Sequence, residues 1–375
     1  MAGIYIHIPF CRKACHYCNF HFSATSRNYR EMADAICKEA VLRSGYLSEP
    51  VSSIYFGGGT PSLLPAELIA EILSTLKNLF EVDPEAEITL EANPDDISIA
   101  SLDAWKLAGI NRLSIGIQSF FEEDLQWMNR AHSAQQAGEA ISLAQARGFN
   151  NLSIDLIYGT PTLTDKKWQQ NVEKAIAFDI PHLSCYALTV EPKTALFALI
   201  KKGKLAPVNE DQQSLQFDLL MEWMKEAGYE HYEISNFSKP GKRSRHNSSY
   251  WQSKPYLGLG PSAHSFNGKS RQWNLANNAL YIQNIQKEIV PAETEILTEV
   301  QRLNEFIMTG MRMDEGVDLK QIRSIWNDEK ESKLKSAAQK FIDLGFMELN
   351  GDRLLLNNSG KHYADGIASD LFFVE

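Results

Sequence analysis

The sequence predicts an α/β protein: a parallel sheet covered by helices, with a smaller helical and hairpin unit at its C-terminal end. Two observations predict it. Over the first two-thirds of the 375 residues, short β-rich runs alternate with stretches of helical periodicity. Six such strand–helix repeats fit an open α/β sheet or a full or partial barrel. Towards the C-terminus this alternation stops, and helical runs lead into a hairpin signal.

The candidate strands are Gly3–Ile8, Val51–Phe56, Glu87–Glu91, Arg112–Ile117, Asn151–Ile157 and His182–Ala187. Between the first two, Tyr29, Met32, Ala33, Ile36, Cys37, Ala40 and Val41 repeat at helical spacing. A second helix is expected over Pro65–Phe80, with proline in its first turn. From Phe237 to Trp273 the chain is rich in Ser, Gly, Pro, Asn and aromatics and reads as extended loop with short strands. Ile296–Met311 and Leu334–Leu344 read as helices. Phe346–Leu349 and Arg353–Leu356 flank Asn350-Gly351-Asp352, a hairpin signal. Helices plus a terminal hairpin resemble a winged-helix arrangement. The expected divisions are residues 1–236, a loop-rich connecting segment 237–290, and a C-terminal domain 291–375.

The chain carries 37 Lys+Arg against 47 Asp+Glu, a net charge of −10. That argues against nucleic-acid binding, which needs a basic face. From Asp318 to Glu375 there are 8 basic and 10 acidic residues, so the hairpin unit reads as a packing or partner module. No secretory signal and no long apolar run is visible, and a cytoplasmic location is the expectation.

Of five cysteines, Cys11, Cys15 and Cys18 crowd into eight residues directly after the first strand. Thiolates at C-x₃-C-x₂-C spacing suit a compact iron–sulfur cluster. Three ligands for four irons leave one iron open to a substrate. Structural zinc is the alternative, with His16 or His21 as fourth ligand, though no second cysteine pair exists to support it. Three unrelated loop cysteines are the remaining reading. Cys37, on an apolar helical stripe, and Cys185, on the sixth strand, read as core, as does His7. Several strand ends carry polar or glycine-rich strings: Gly57-Gly58-Gly59-Thr60-Pro61, Glu91-Ala92-Asn93-Pro94, Gly116-Ile117-Gln118-Ser119, and Asp155 inside an apolar strand. A charge in such a strand is costly unless paired or functional.

With Tyr17 as its aromatic, the cysteine string resembles the radical S-adenosylmethionine (SAM) superfamily. The resemblance implies a partial (β/α)6 TIM-like barrel, a [4Fe–4S] cluster on Cys11, Cys15 and Cys18, and SAM on the open iron. The whole chain is similar to one branch, the oxygen-independent coproporphyrinogen III dehydrogenases and the HemW heme chaperones. The strings that carry this are Ile6–Cys11, Phe56–Ser62, Glu91–Pro94, Arg112–Phe120, Asp155–Pro161, His182–Glu191, Tyr232–Phe237, His246–Trp251 and Tyr256–Ser265. By motif, Tyr5, Gly58, Gly59, Thr60, Glu91, Gln118, Arg130, Asp155, Ala187 and His264 would line the SAM site.

The resemblance also separates two activities. The dehydrogenases carry a long extension before the cysteine loop, whereas ten residues precede Cys11, which weighs against decarboxylation. The string His246-Asn247-Ser248-Ser249-Tyr250-Trp251 marks the chaperone branch. It implies His246 as a heme-iron ligand, with Tyr250 and Trp251 stacking on the porphyrin. Lys239, Lys242, Arg243 and Arg245 would meet the propionates. The expected function is heme binding and delivery to apo-hemoproteins at the inner-membrane surface, with a flavodoxin- or ferredoxin-like electron donor. The alternative is conversion of coproporphyrinogen III to protoporphyrinogen IX.

Overall fold

The computed structural model describes residues 1–24 and 28–374. Twelve strands form one sheet: β1 (Ala2–Ile8), β2 (Val51–Gly58), β3 (Val82–Ala92), β4 (Arg112–Gln118), β5 (Leu152–Tyr158), β6 (His182–Ala187), β7 (Glu230–Glu233), β8 (Asn236–Ser238), β9 (Tyr256–Leu259), β10 (His264–Phe266), β11 (Ser270–Asn274) and β12 (Ala292–Ile296). Their order is β12-β11-β10-β9-β1-β2-β3-β4-β5-β6-β8-β7. The six expected strands are its parallel centre. Both faces of these strands are covered, so they read as nearly unbroken apolar runs rather than alternating ones. Ile4, Ile6 and Ile8 of β1 are fully buried, as are Phe56, Leu90, Leu113, Ile115 and Leu156 from the strands beside it. The sheet does not close on itself: β12 stands at one end and β7 at the other, where Met313 bridges Glu233, so it is a partial barrel.

β3 begins five residues earlier than expected. Val51 pairs with Val82, then Ser53 with Glu87, so the first residues of β3 bulge out of register. The helices Tyr29–Leu42 and Ala66–Leu79 match their periodicity closely. The stretch expected as extended loop with short strands carries β9 to β11 and also a helix, Arg245–Trp251. Its residues are poor helix formers, so periodicity gave no warning. The Ser244 hydroxyl caps it by accepting the Asn247 amide.

The C-terminal unit runs helix Glu299–Arg312, β13 (Val317–Asp318), helices Leu319–Ile325 and Asp328–Asp343, then β14 (Met347–Asn350) and β15 (Arg353–Leu356). The three strands pair as β13-β15-β14, the layout of a winged helix. Asn350 pairs with Arg353, so the turn itself is Gly351-Asp352, with Gly351 at φ 59°. Leu303, Ile307, Leu334 and Leu354 form its own core. It meets the barrel through Arg312 on Glu233 (3.0 Å) and Lys361 on His231 (3.0 Å). No helix among the described residues is long and apolar enough to cross a membrane.

Candidate functional site

The cysteine loop leaves the C-terminal end of β1, where such a barrel places its chemistry. Its base is clamped by the glycine-rich end of β2: the Gly59 amide donates to the Ile8 carbonyl (2.9 Å) and the Thr60 amide to Phe10 (2.7 Å). A Cβ on Gly59 would sit 2.6 Å from the Phe10 carbonyl oxygen, and one on Gly58 2.7 Å from the His7 ring. Gly58 also stands at φ 110°, where L residues are strained. The far side of the loop is held by His16 N on Met128 O (3.1 Å) and by Asn129 Nδ2 on Ala14 O (2.7 Å).

All three cysteines are reduced and half-buried. Burial pushes the Cys11 thiol up to about 11, opposed by the Thr60 hydroxyl and reinforced by Cys18 and Cys15. Burial likewise raises Cys18. Such thiols favour a bound cation that displaces their protons, the donor set of a thiolate-held cluster. His16 Nδ1 lies 2.9 Å from Trp127 O, and His21 Nε2 lies 2.7 Å from Asn278 Oδ1, so each histidine is bonded away from the thiols. Among the described residues, no three His, Cys, Asp or Glu side chains converge as a single-ion site.

Arg130 joins this loop to the barrel. Its Nη1 lies 3.3 Å from Cys15 Sγ and 3.4 Å from the Tyr17 hydroxyl. Its Nη2 donates to Asn93 Oδ1 (2.7 Å) and Gly116 O (2.8 Å). Its Nε is buried without a partner among the described residues. A guanidinium edge left open in this way fits a ligand carboxylate. Gln118 ends β4 at φ 64°, and its amide nitrogen and Arg130 Nη2 both come within 3.1 Å of a Cβ built on Gly116. Asn93 is a residue the motif transfer missed. It bridges Arg130 and the Thr60 hydroxyl, which its Nδ2 approaches at 3.3 Å. Its place at a strand end before Pro94 was the available signal.

Two buried carboxyls stand on β3 and β5. Glu91 accepts the Tyr55 hydroxyl (2.8 Å) and the Gly58 amide, while Asp155 accepts from Ser114 (3.4 Å) and Ser184. Burial, then the charge of Asp155, raises Glu91 to about 8. Burial raises Asp155 to about 6. Two buried carboxyls and a guanidinium with an unpartnered Nε suit a ligand with hydroxyls or an ammonium and a carboxylate, as SAM has. Ala187, at the end of β6, is solvent-exposed.

A cavity of about 650 Å³ opens beside β1. Tyr5, His7, Phe20, Tyr250, Trp251, Tyr256, His264 and Phe266 line it. The two expectations for Tyr5 and His264 as SAM contacts and Tyr250 and Trp251 as heme contacts therefore meet in one space. His246 does not reach it. Its ring is 1% exposed, with Nδ1 2.8 Å from the Ser53 hydroxyl and Nε2 2.9 Å from that of Tyr250. It stacks on Tyr55 at 5.0 Å, and burial lowers its pKa to about 3. Both nitrogens are spent, so the expected iron-ligand role does not fit this geometry. The expectation for the basic cluster is corrected in part. Lys239 pairs with Asp179, Arg243 with Glu230, Asp314 and Glu315, and Arg245 donates to Glu85 O. Carboxylates thus answer Lys239 and Arg243, while Arg245 meets a backbone carbonyl and Lys242 has no ion pair among the described residues.

Comparison with known proteins agrees with this geometry. Residues 5–175 match the radical SAM superfamily, and residues 297–361 match the HemN C-terminal domain. The heme chaperone HemW of Bacillus subtilis is 32% identical over 365 residues, covering 96% of each chain. The mitochondrial radical S-adenosyl methionine domain-containing protein 1 of Danio rerio is 32% identical over 95% of this chain and 81% of its own. The structure of coproporphyrinogen III oxidase (HemN) from Escherichia coli superposes with a TM-score of 0.84 at 22% identity, over 99% of this chain and 90% of that one, so the two share a fold. With cysteine loop, glycine clamp and open arginine edge assembled on one barrel end, the chain belongs to the radical SAM superfamily and, within it, to the HemW/HemN family of heme-metabolism proteins.

Proposed function

We propose that this protein is a heme chaperone: it holds heme in the cavity beside β1 and passes it to apo-hemoproteins. One observation carries the reading. The cavity lined by Tyr250 and Trp251 is also lined by Tyr5 and His7 of β1, the strand that leads into the cysteine loop. An aromatic cavity of about 650 Å³ suits a flat apolar macrocycle. The end-to-end similarity to chains named heme chaperone supports it.

Cys11, Cys15 and Cys18 would hold a [4Fe–4S] cluster, and Arg130, Glu91, Asp155 and Gln118 with the Gly58–Thr60 turn would hold SAM. When bound, the cluster supplies one-electron chemistry toward SAM, drawing on a flavodoxin- or ferredoxin-like donor. Arg130 fixes the loop and offers its Nε edge to a carboxylate. Glu91 and Asp155 hold the opposite end of the ligand. In this reading the protein works in the cytoplasm and delivers heme to respiratory proteins at the inner-membrane surface.

The test is anaerobic. Reconstituted protein is loaded with heme and mixed with an apo-cytochrome of the b type, and transfer is followed by the acceptor's absorption. In parallel it is reduced and given SAM and coproporphyrinogen III. Transfer without porphyrinogen turnover supports the chaperone. Formation of protoporphyrinogen IX would sink the reading and make the protein a dehydrogenase.

A further inference from the structure

The chaperone reading leaves the heme iron without a ligand once His246 is spent on Ser53 and Tyr250. Three histidines line the cavity, and two are engaged: His7 through both ring nitrogens, by Tyr5 and the His21 carbonyl, and His21 through Nε2, by Asn278; the third is His264. His264 begins β10, and its side chain is exposed at the cavity. Among the described residues neither of its ring nitrogens has a hydrogen-bond partner; its one ring contact is with Trp273 across the β10–β11 pair, at 6.3 Å. Partial burial and the Arg271 charge lower its pKa, which favours the neutral imidazole that a metal requires.

The neighbours fit the rest of a heme. Phe266 lies two residues along β10, on the face of the strand that His264 also uses. Arg271 stands opposite Phe266 in β11, with its guanidinium 5.9 Å from that ring. Its Nε is paired with Glu305 at 2.9 Å, while its two terminal nitrogens have no partner among the described residues. An imidazole and an open guanidinium therefore share one face, about 7 Å apart along the strand. Tyr250 lines the same cavity.

We infer that His264, and not His246, is the axial ligand to heme iron, and that Arg271 pairs with a heme propionate. His246 is then a positioning residue: it holds the Tyr250 hydroxyl and through it one wall of the cavity. The inference rests on the heme-binding reading above.

The test titrates hemin into anaerobically reconstituted full-length protein and follows the Soret and visible bands. Wild type should give a histidine-ligated spectrum. His264→Ala should lose that signature and bind at least about tenfold more weakly. Added imidazole should restore the bands in His264→Gly, which a folding defect would not allow. His246→Ala should weaken binding but keep the band positions. Arg271→Gln should weaken hemin and leave heme dimethyl ester unchanged. A wild-type spectrum in His264→Ala, or bands lost only in His246→Ala, overturns the ligand assignment. Equal weakening of hemin and ester in Arg271→Gln overturns the propionate contact. Wild type that binds no hemin overturns the chaperone reading itself, and this inference with it.

Discussion

The Nε2 of His246 lies 2.9 Å from the Tyr250 hydroxyl, one turn further along the helix Arg245–Trp251, while its Nδ1 lies 2.8 Å from Ser53 on β2. The ring thus ties this helix to the barrel. His246→Ala leaves a buried void and an unmatched Ser53 hydroxyl, and should cost about 3 kcal/mol of stability. Urea denaturation of the ligand-free protein measures it; a loss within the range of an exposed substitution would show that the ring is not structural.

Gly59→Ala should disturb the cysteine loop. The new methyl would meet Phe10 backbone atoms at 2.6 and 2.9 Å, and backbone cannot rotate aside. Iron content and visible absorption after reconstitution should fall. Gly45→Ala, with nothing within 4 Å, should leave both unchanged.

Cys15→Ser should lose the iron and its visible absorption, since it removes one of the three thiolates that the loop presents. Cys37→Ser should keep both. Cys37 is half-buried on the helix Tyr29–Leu42 and bonded to Thr75, away from the loop. Equal iron content in the two variants would remove Cys15 from the ligand set.

The raised Glu91 carboxyl predicts a pH slope. Its folded value, about 8, stands above its ordinary 4.5. Its contribution to stability is therefore fully present below 4.5 and is lost as pH rises through about 8. Between those limits the ligand-free protein should weaken with rising pH through this group, and Glu91→Gln should flatten that part of the profile. Urea midpoints on either side of the window test it. SAM binding to the ionised carboxylate should run the opposite way and tighten as pH rises.

Arg312 links the C-terminal unit to the barrel. It pairs with the buried Glu233 at 3.0 Å and lies 4.9 Å from the Trp251 ring. Arg312→Ala strands a buried carboxylate and should cost about 3 kcal/mol. Trp251 fluorescence should change with it. A variant as stable as wild type would show that the two units meet without this pair.

Much of the site was legible because its signals are local. Cys11, Cys15 and Cys18 sit on one loop, and Gly58 and Gly59 follow one strand, so spacing alone brings each set together. The parallel strands were legible as apolar runs, since both of their faces are covered. Asn93 was not legible as a bridge, because its partners Thr60 and Arg130 are 33 and 37 residues away.

By itself, the sequence determined the cysteine loop, the alternating α/β order and the hairpin of the C-terminal unit, all of which depend on neighbours along the chain. Only the tertiary structure decided that His264 lines the cavity and that His246 does not. His246 belongs to the string that points to heme, yet its ring is captured by Ser53, 193 residues away, and by Tyr55 beneath it. His264 keeps both ring nitrogens without a hydrogen-bond partner among the described residues, exposed at the cavity beside Trp273 of β11. Hydrogen-bond capture and exposure are properties of packing between distant segments, and no spacing rule records them.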